Sequence, residues 1–182
     1  KGPYNMKMKS TLILAILMIF LSCSAKYDLP SLKTVDQVDI SKFMGDWYVI
    51  ANIPTFLEKG AHNAIETYKW NEKEKHIDVI FSYNADSFTG KKKTLTQKAF
   101  IYDQKTNAEW RIQLFWPLKF PYLVIDLAPD YSYTVIGVPE RSYVWIMART
   151  KKLDEKVYAG IIERLKEQKY DTSLIQMVPQ EL

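Results

Sequence analysis

The sequence predicts an all-β domain, an antiparallel meander of eight strands with one α-helix near its C-terminal end. Three observations carry this. Period-two alternation recurs along the chain, as in Ile77-Asp78-Val79-Ile80-Phe81-Ser82-Tyr83, Trp110-Arg111-Ile112-Gln113-Leu114, and Tyr143, Trp145 and Met147; such alternation gives a strand one dry and one wet face. Short turn-like segments at 71–75, 84–90, 103–107, 128–132 and 139–141 separate the runs. A single stretch changes to helical spacing, with Val157, Ile161 and Leu165 recurring every four residues.

The strands are expected at 46–53, 64–70, 77–84, 94–102, 110–114, 122–127, 133–138 and 143–149. Asp154 is placed to cap the helix, because its carboxylate can accept the free N–H groups of the first turn, and Leu153 can staple onto Tyr158. The helix should pack outside the sheet, and residues 175–178 can add a short ninth strand. Eight alternating strands must hide one face. A sandwich and a closed barrel both do so, and only closure removes the unpaired edges.

Before the strands, residues 1–22 read as an N-terminal extension and export signal, with Lys7 and Lys9 ahead of the apolar run 11–20. That run is short of the roughly 20 residues a membrane-spanning helix needs. Phe20-Leu21-Ser22-Cys23 resembles a bacterial lipobox, in which the cysteine is acylated. This would explain a sole cysteine with no disulfide partner. Residues 23–37 are then a linker from the acylated Cys23, and 38–182 form one domain. Ser24, not Asp, follows the cysteine, which in the lipobox scheme implies delivery to the outer membrane of a bacterial envelope, facing the periplasm.

The 182 residues are 47% hydrophobic and 25% charged, which excludes disorder and gives mass for one core. Beyond Cys23, 22 bases meet 21 acids, so three of the four net positive charges sit in the N-terminal segment and the charge does not argue for nucleic acid. One cysteine and two histidines leave no zinc cluster, and no metal site or cofactor is expected. Gly-x-Ser-x-Gly and glycine-rich phosphate loops are absent, so an enzyme is not expected. His62 and His76 stand outside any motif and are expected at the surface. Lys91-Lys92-Lys93 reads as a solvated turn.

Gly45-Asp46-Trp47 at the first strand, Asp130-Tyr131 in the sixth turn and Arg149 at the end of the eighth strand resemble, in this order, the three signature regions of the lipocalins. Pro121-Tyr122-Leu123-Val124-Ile125 and Tyr143-Val144-Trp145-Ile146-Met147-Ala148-Arg149 narrow the resemblance to the bacterial and apolipoprotein D-like branch. It covers residues 38–178. The middle signature departs from the usual Thr-Asp-Tyr, with Pro129 before Asp130. The resemblance implies an eight-stranded up-and-down barrel whose closed end is plugged by Trp47 and crossed by Arg149. A cation stacked on an indole contributes about 0.5–2 kcal/mol. Gly45, Trp47, Asp130, Tyr131 and Arg149 are therefore structural.

In such a barrel, alternation places Ile77, Val79, Phe81, Tyr83, Trp110, Ile112, Leu114, Tyr122, Val124, Ile136, Tyr143, Trp145 and Met147 inside, keeping Asp78 and Arg111 in water. This lining suits an acyl chain, and the expected partners are a fatty acid or lysophospholipid and a membrane reached through the acyl anchor, with a homodimer left open. The loops at 54–62, 86–93, 117–121 and 139–141 share the open end and bring Lys59, Lys91, Lys92, Lys93, Lys119 and Arg141 together with apolar Phe56, Leu57, Leu118 and Phe120. A basic mouth attracts anionic head groups or surfaces. Two other readings stand beside this: a flat hydrophobe such as haem or a carotenoid, with His62 as axial ligand, and a filled barrel whose rim binds an envelope partner.

Overall fold

A computed structural model describes residues 29–181; the export signal and Cys23 lie outside the described residues. Eight strands follow in order: β1 (Gly45–Ile53), β2 (Ala61–Asn71), β3 (His76–Ala85), β4 (Lys92–Ile101), β5 (Glu109–Phe115), β6 (Leu118–Leu127), β7 (Tyr133–Gly137) and β8 (Val144–Ala148). Each pairs antiparallel with the next, and β8 pairs with β1, which returns to β2 and closes the barrel. A four-residue helix α1 (Ile40–Phe43) precedes β1, helix α2 (Glu155–Glu167) follows β8, and β9 (Gln176–Met177) pairs with β1 at Ala51 and Asn52.

Register shifts in the β1–β8, β2–β3, β5–β6 and β6–β7 pairs accompany the closure; local irregularities of this kind increase twist and let a sheet curl. Lys75, Asp86, Asn107 and Tyr131 take positive φ angles in the turns, conformations that Asn and Asp tolerate best among residues with side chains.

The alternation sorts the apolar residues into two clusters. The inner one contains Trp47, Val49, Tyr68, Phe81, Trp110 and Tyr122 with their neighbours. The outer one lies between the barrel wall and α2, where Ile161 and Leu165 pack with Leu123, Ile125, Val135 and Ile146. Asp154 caps α2, accepting from the N–H groups of Lys156 (2.9 Å) and Val157 (3.1 Å). Leu153 and Tyr158 both join the outer cluster. Burial of each large side chain contributes about 1.5–3 kcal/mol, so the second cluster fixes α2 on the wall.

The closed end is built by α1. Asp39 caps it, accepting from Ser41 N–H (2.9 Å), and its first buried product is Phe43, whose carbonyl accepts the Trp47 indole N–H (2.8 Å). This helix was not visible as periodicity, being barely one turn long.

The opposite seam is closed differently. The β1–β2 ladder ends at Tyr48 opposite Ile65. Beyond it the C-terminal segment takes over. Val178 N–H donates to Ile50 O (2.9 Å), Asn63 N–H donates to Pro179 O (2.8 Å), and the Gln180 side-chain amide donates to both Val49 O (2.9 Å) and Ala64 O (3.0 Å).

Candidate functional site

The barrel lumen has a floor, a polar middle and a covered mouth. At the floor, the Arg149 guanidinium lies 3.7 Å from the Trp47 ring centroid. It also donates to the carbonyls of Lys42 (2.8 Å), Phe43 (3.1 Å), Met44 (2.9 Å) and Asp46 (2.7 Å). One fork thus satisfies the end of α1, whose last carbonyls have no partner within the helix. Gly45 has φ +98°, and a Cβ there would stand 3.4 Å from Arg149 Nη1. In the sixth turn Asp130 accepts from Ser132 N–H (3.0 Å), and the Tyr131 hydroxyl accepts from Asp39 N–H (2.8 Å). The five signature residues therefore converge on the closed end.

In the middle, Glu66 on β2 stands opposite Trp47 and Phe81 and so points inward. Its Oε2 accepts from Tyr122 Oη (2.9 Å) and from Tyr68 Oη, and the two phenolic oxygens also touch. Burial pushes the Glu66 carboxyl up to about 7 against the pull of the two phenols, and the nearby Glu58 charge adds to the rise. Burial raises both phenols well above the usual tyrosine range. Tyr122 stacks on Trp110 (centroids 6.0 Å, 20°) and leans on Trp145 (5.8 Å).

The β1–β2 loop covers the mouth. Glu58 accepts from Trp145 Nε1 (3.1 Å), Thr55 N–H (3.0 Å) and Asn52 Nδ2 (3.4 Å), and Tyr83 Oη donates to Leu57 O (2.6 Å). Burial raises the Glu58 carboxyl, and the bonds from Thr55, Trp145 and Asn52 oppose this. The inner wall is less complete on one flank. Leu95, Gln97, Ile112 and Leu114 share the inward phase of β4 and β5, yet all four are only half-buried. Above them the Lys93 ammonium lies 5.7 Å from the Tyr83 ring centroid.

Eleven of the thirteen residues expected inside join the inner cluster: Ile77, Val79, Phe81, Tyr83, Trp110, Tyr122, Val124, Ile136, Trp145 and Met147 are buried, and Ile112 packs at its edge. Leu114 stands outside the cluster, because the β5–β6 register shifts between Ile112 and Phe115. Tyr143, 37% exposed, precedes β8 and leans on Trp145 (6.2 Å). Glu66, Tyr68 and Glu58 were missed. Glu66 and Tyr68 fall on the same period-two phase as Ala64 and Trp70, and an acid in that phase was the available signal.

Two expectations are corrected. His76 is not a surface residue: it is 3% exposed, its Nε2 lies 2.8 Å from Asp78 Oδ1 and its ring 5.6 Å from Phe100. Arg141 does not belong to the basic rim, since its guanidinium is buried and donates to the carbonyls of Pro139 and Gln168. His62 is held between Gly60 O (3.0 Å) and the Phe88 ring (5.1 Å). Phe56, Trp116, Leu118 and Phe120 are exposed. Among the described residues no cluster of His, Cys, Asp and Glu could hold a metal, and no helix is long and apolar enough to cross a membrane.

Residues 38–180 match the lipocalin-like domain family. The chain is 30% identical to temperature-induced lipocalin-1 of Arabidopsis thaliana over 158 residues, 82% of this chain and 83% of that one. It is 26% identical to the outer membrane lipoprotein Blc of Escherichia coli K12 over 155 residues, covering 85% and 86%. Among solved structures it superposes on insecticyanin from Manduca sexta with a TM-score of 0.64 at 21% identity, covering 82% and 85%. Apocrustacyanin C2 gives 0.60 at 15% identity, covering 77% and 78%. The closed barrel, the indole–guanidinium floor and these matches place the chain in the lipocalin-like family, whose members bind small hydrophobic ligands.

Proposed function

We propose that the chain binds a fatty acid or lysophospholipid in the lumen and carries or stores it for envelope maintenance, as a binding protein and not an enzyme. The half-covered flank of Leu95, Ile112 and Leu114 supports this reading most strongly. It is an apolar inner surface that the protein's own side chains do not seal, the usual mark of a ligand site in a barrel. The tail enters there and the anionic end stays beside Lys93. Each buried methylene contributes about 0.8 kcal/mol, offset by the flexibility the chain loses. Acylation at Cys23 and an outer-membrane position extend the reading; the similarity to Blc, named an outer membrane lipoprotein in E. coli, supports them.

Native mass spectrometry of the full chain extracted from membranes tests both parts, since it reports co-purifying lipid and the mass of an acylated Cys23 together. In parallel, Trp110 and Trp145 emission is followed during titration with lysophospholipid. A saturable response is expected, weakened about tenfold or more by Ile112→Arg, which sets a charge on the flank. A chain free of lipid whose emission ignores every lysophospholipid and fatty acid overturns the proposal and favours a filled barrel that acts through its rim.

A further inference from the structure

Among the described residues, most of the exposed apolar bulk lies at one end of the barrel, the end where the lumen opens. Phe56 on the β1–β2 loop is 79% exposed, and Trp116 at the tip of the β5–β6 hairpin is 85% exposed. Phe115, Leu118 and Phe120 flank that tip and are exposed as well, as is Phe88 on the β3–β4 loop. Phe115 pairs with Leu118, and Ile112 with Phe120. One face of the hairpin is therefore apolar from its tip down to the open flank of the barrel. A patch of this kind marks a surface that something covers.

The charges at the same end are basic. Lys59, Lys91, Lys92, Lys93 and Lys119 are exposed there, against the exposed acids Asp86 and Glu140. Glu58 is turned inward to Trp145. Lys119 lays its ammonium 3.5 Å from the Phe100 ring centroid, back from the hairpin tip; a lysine can keep its stem on apolar surface while its charge stays in a polar layer. The closed end differs. Its strand-to-strand turns hold Glu72, Glu74, Asp103 and Asp130 against Lys73, Lys75 and Lys105. The large exposed ring there, Tyr102, lies under the Arg111 guanidinium (3.8 Å).

The start of the domain lies at the mouth as well. Lys33 N–H donates to Gln168 Oε1 (2.9 Å) at the end of α2, and Leu32 lies beside Gly137 at the mouth end of β7. Val35 N–H then donates to Val124 O (3.0 Å), and Val38 N–H to Thr106 O (2.7 Å) in a closed-end turn. The chain thus enters the domain at the mouth and runs down the wall to the floor.

We infer that the mouth end is a docking surface for an anionic lipid bilayer. The β5–β6 hairpin and Phe56 sink their side chains among the acyl chains, and the five lysines stay at the phosphates. Aromatic rings favour the membrane–water boundary, and lysines beside it are drawn to anionic lipid. The barrel then stands with its opening against the bilayer. A second copy fits this surface less well, since a two-fold contact through the mouth sets lysines against lysines. The surface lies outside the lumen and holds whether or not the lumen takes a lipid. It does not need an acyl group on Cys23.

The full chain with Cys23→Ser has no thiol. Leu118→Cys, or in a separate chain Tyr102→Cys, then takes a dye whose emission turns blue in lipid. Vesicles of phosphatidylcholine, alone or mixed with phosphatidylglycerol, carry brominated acyl chains as quencher. Both chains share residues 1–22, so attachment through that segment brings both labels to the vesicle alike. On the mixed vesicles the label at 118 is expected to shift to the blue and to lose emission to the quencher, and the label at 102 to do neither. The shift should be smaller on phosphatidylcholine alone. Trp116→Glu, which sets a charge at the tip, should return the label at 118 to water. Phe56→Cys gives a second reading if the label at 118 disturbs the hairpin. A label at 118 and at 56 that stays in water, or a label at 102 quenched as strongly, overturns the inference. A blue shift that grows with protein concentration in the absence of vesicles also overturns it, in favour of a second copy.

Discussion

Glu66 is an acid enclosed by apolar walls, and its titration couples to folding. Its carboxyl is pushed up to about 7 in the folded chain, whereas an unfolded glutamate titrates near 4.3. Between these values the folded state holds a proton that the unfolded state has lost. Stability therefore falls as pH rises across this interval, and Glu66 contributes a loss of about 3 kcal/mol when the span is complete. Urea unfolding measured from about pH 4.5 to pH 8 should show this downward slope, and Glu66→Gln should flatten it. An equal slope in the variant would show that another group titrates. The neighbouring phenols do not compete in this range, since burial holds both well above it.

Helix α2 depends on one contact at its far end. Tyr170, just beyond it, inserts its hydroxyl beside β7, where it accepts from Val138 N–H (3.1 Å) and donates to Val138 O (3.3 Å). Gly137 leaves the room: a Cβ there would collide with Tyr170 Oη and come within 2.9 Å of Ile125 Cδ1 and 3.1 Å of Leu32 Cδ2. Gly137→Ala should cost about 1–3 kcal/mol through overpacking. The effect would be read as a lower denaturation midpoint with faster amide exchange in α2 than in β3. Fast exchange spread evenly over all strands would mean that the helix and barrel unfold together. The alternation that defined β7 could not reveal this contact, because it joins residues 33 apart in sequence through a helix end. The strands themselves were legible because each carries its own period of two, and α2 because its stripe and its Asp154 cap are local. Glu58 on Trp145, His76 under Phe100 and Arg141 on Gln168 are meetings of distant segments, with no local pattern to announce them.

At the scale of the whole molecule, closure rests on two unlike seals. The floor is locked by Arg149, just past β8, which donates to four carbonyls: those of Lys42 and Phe43 in α1, of Met44 after it and of Asp46 in β1. The seam between β1 and β2 is finished by the C-terminal segment, with β9 on Ala51 and Asn52 and Gln180 across Val49 and Ala64. Removal of the residues after Ile175 eliminates these bonds, each worth about 0.5–1.5 kcal/mol, and should lower stability by about 3–5 kcal/mol. Hydrogen exchange by mass spectrometry should then localise the new exposure to the mouth-side half of β1 and β2. Unchanged protection there would show that the two strands hold each other without help. A growing polypeptide that has emerged as far as Ile175 already owns all eight slats of the cask yet lacks its final hoop. Any greasy cargo loaded during synthesis would meet a container still split along one side, and watertightness would arrive with residues 176–180.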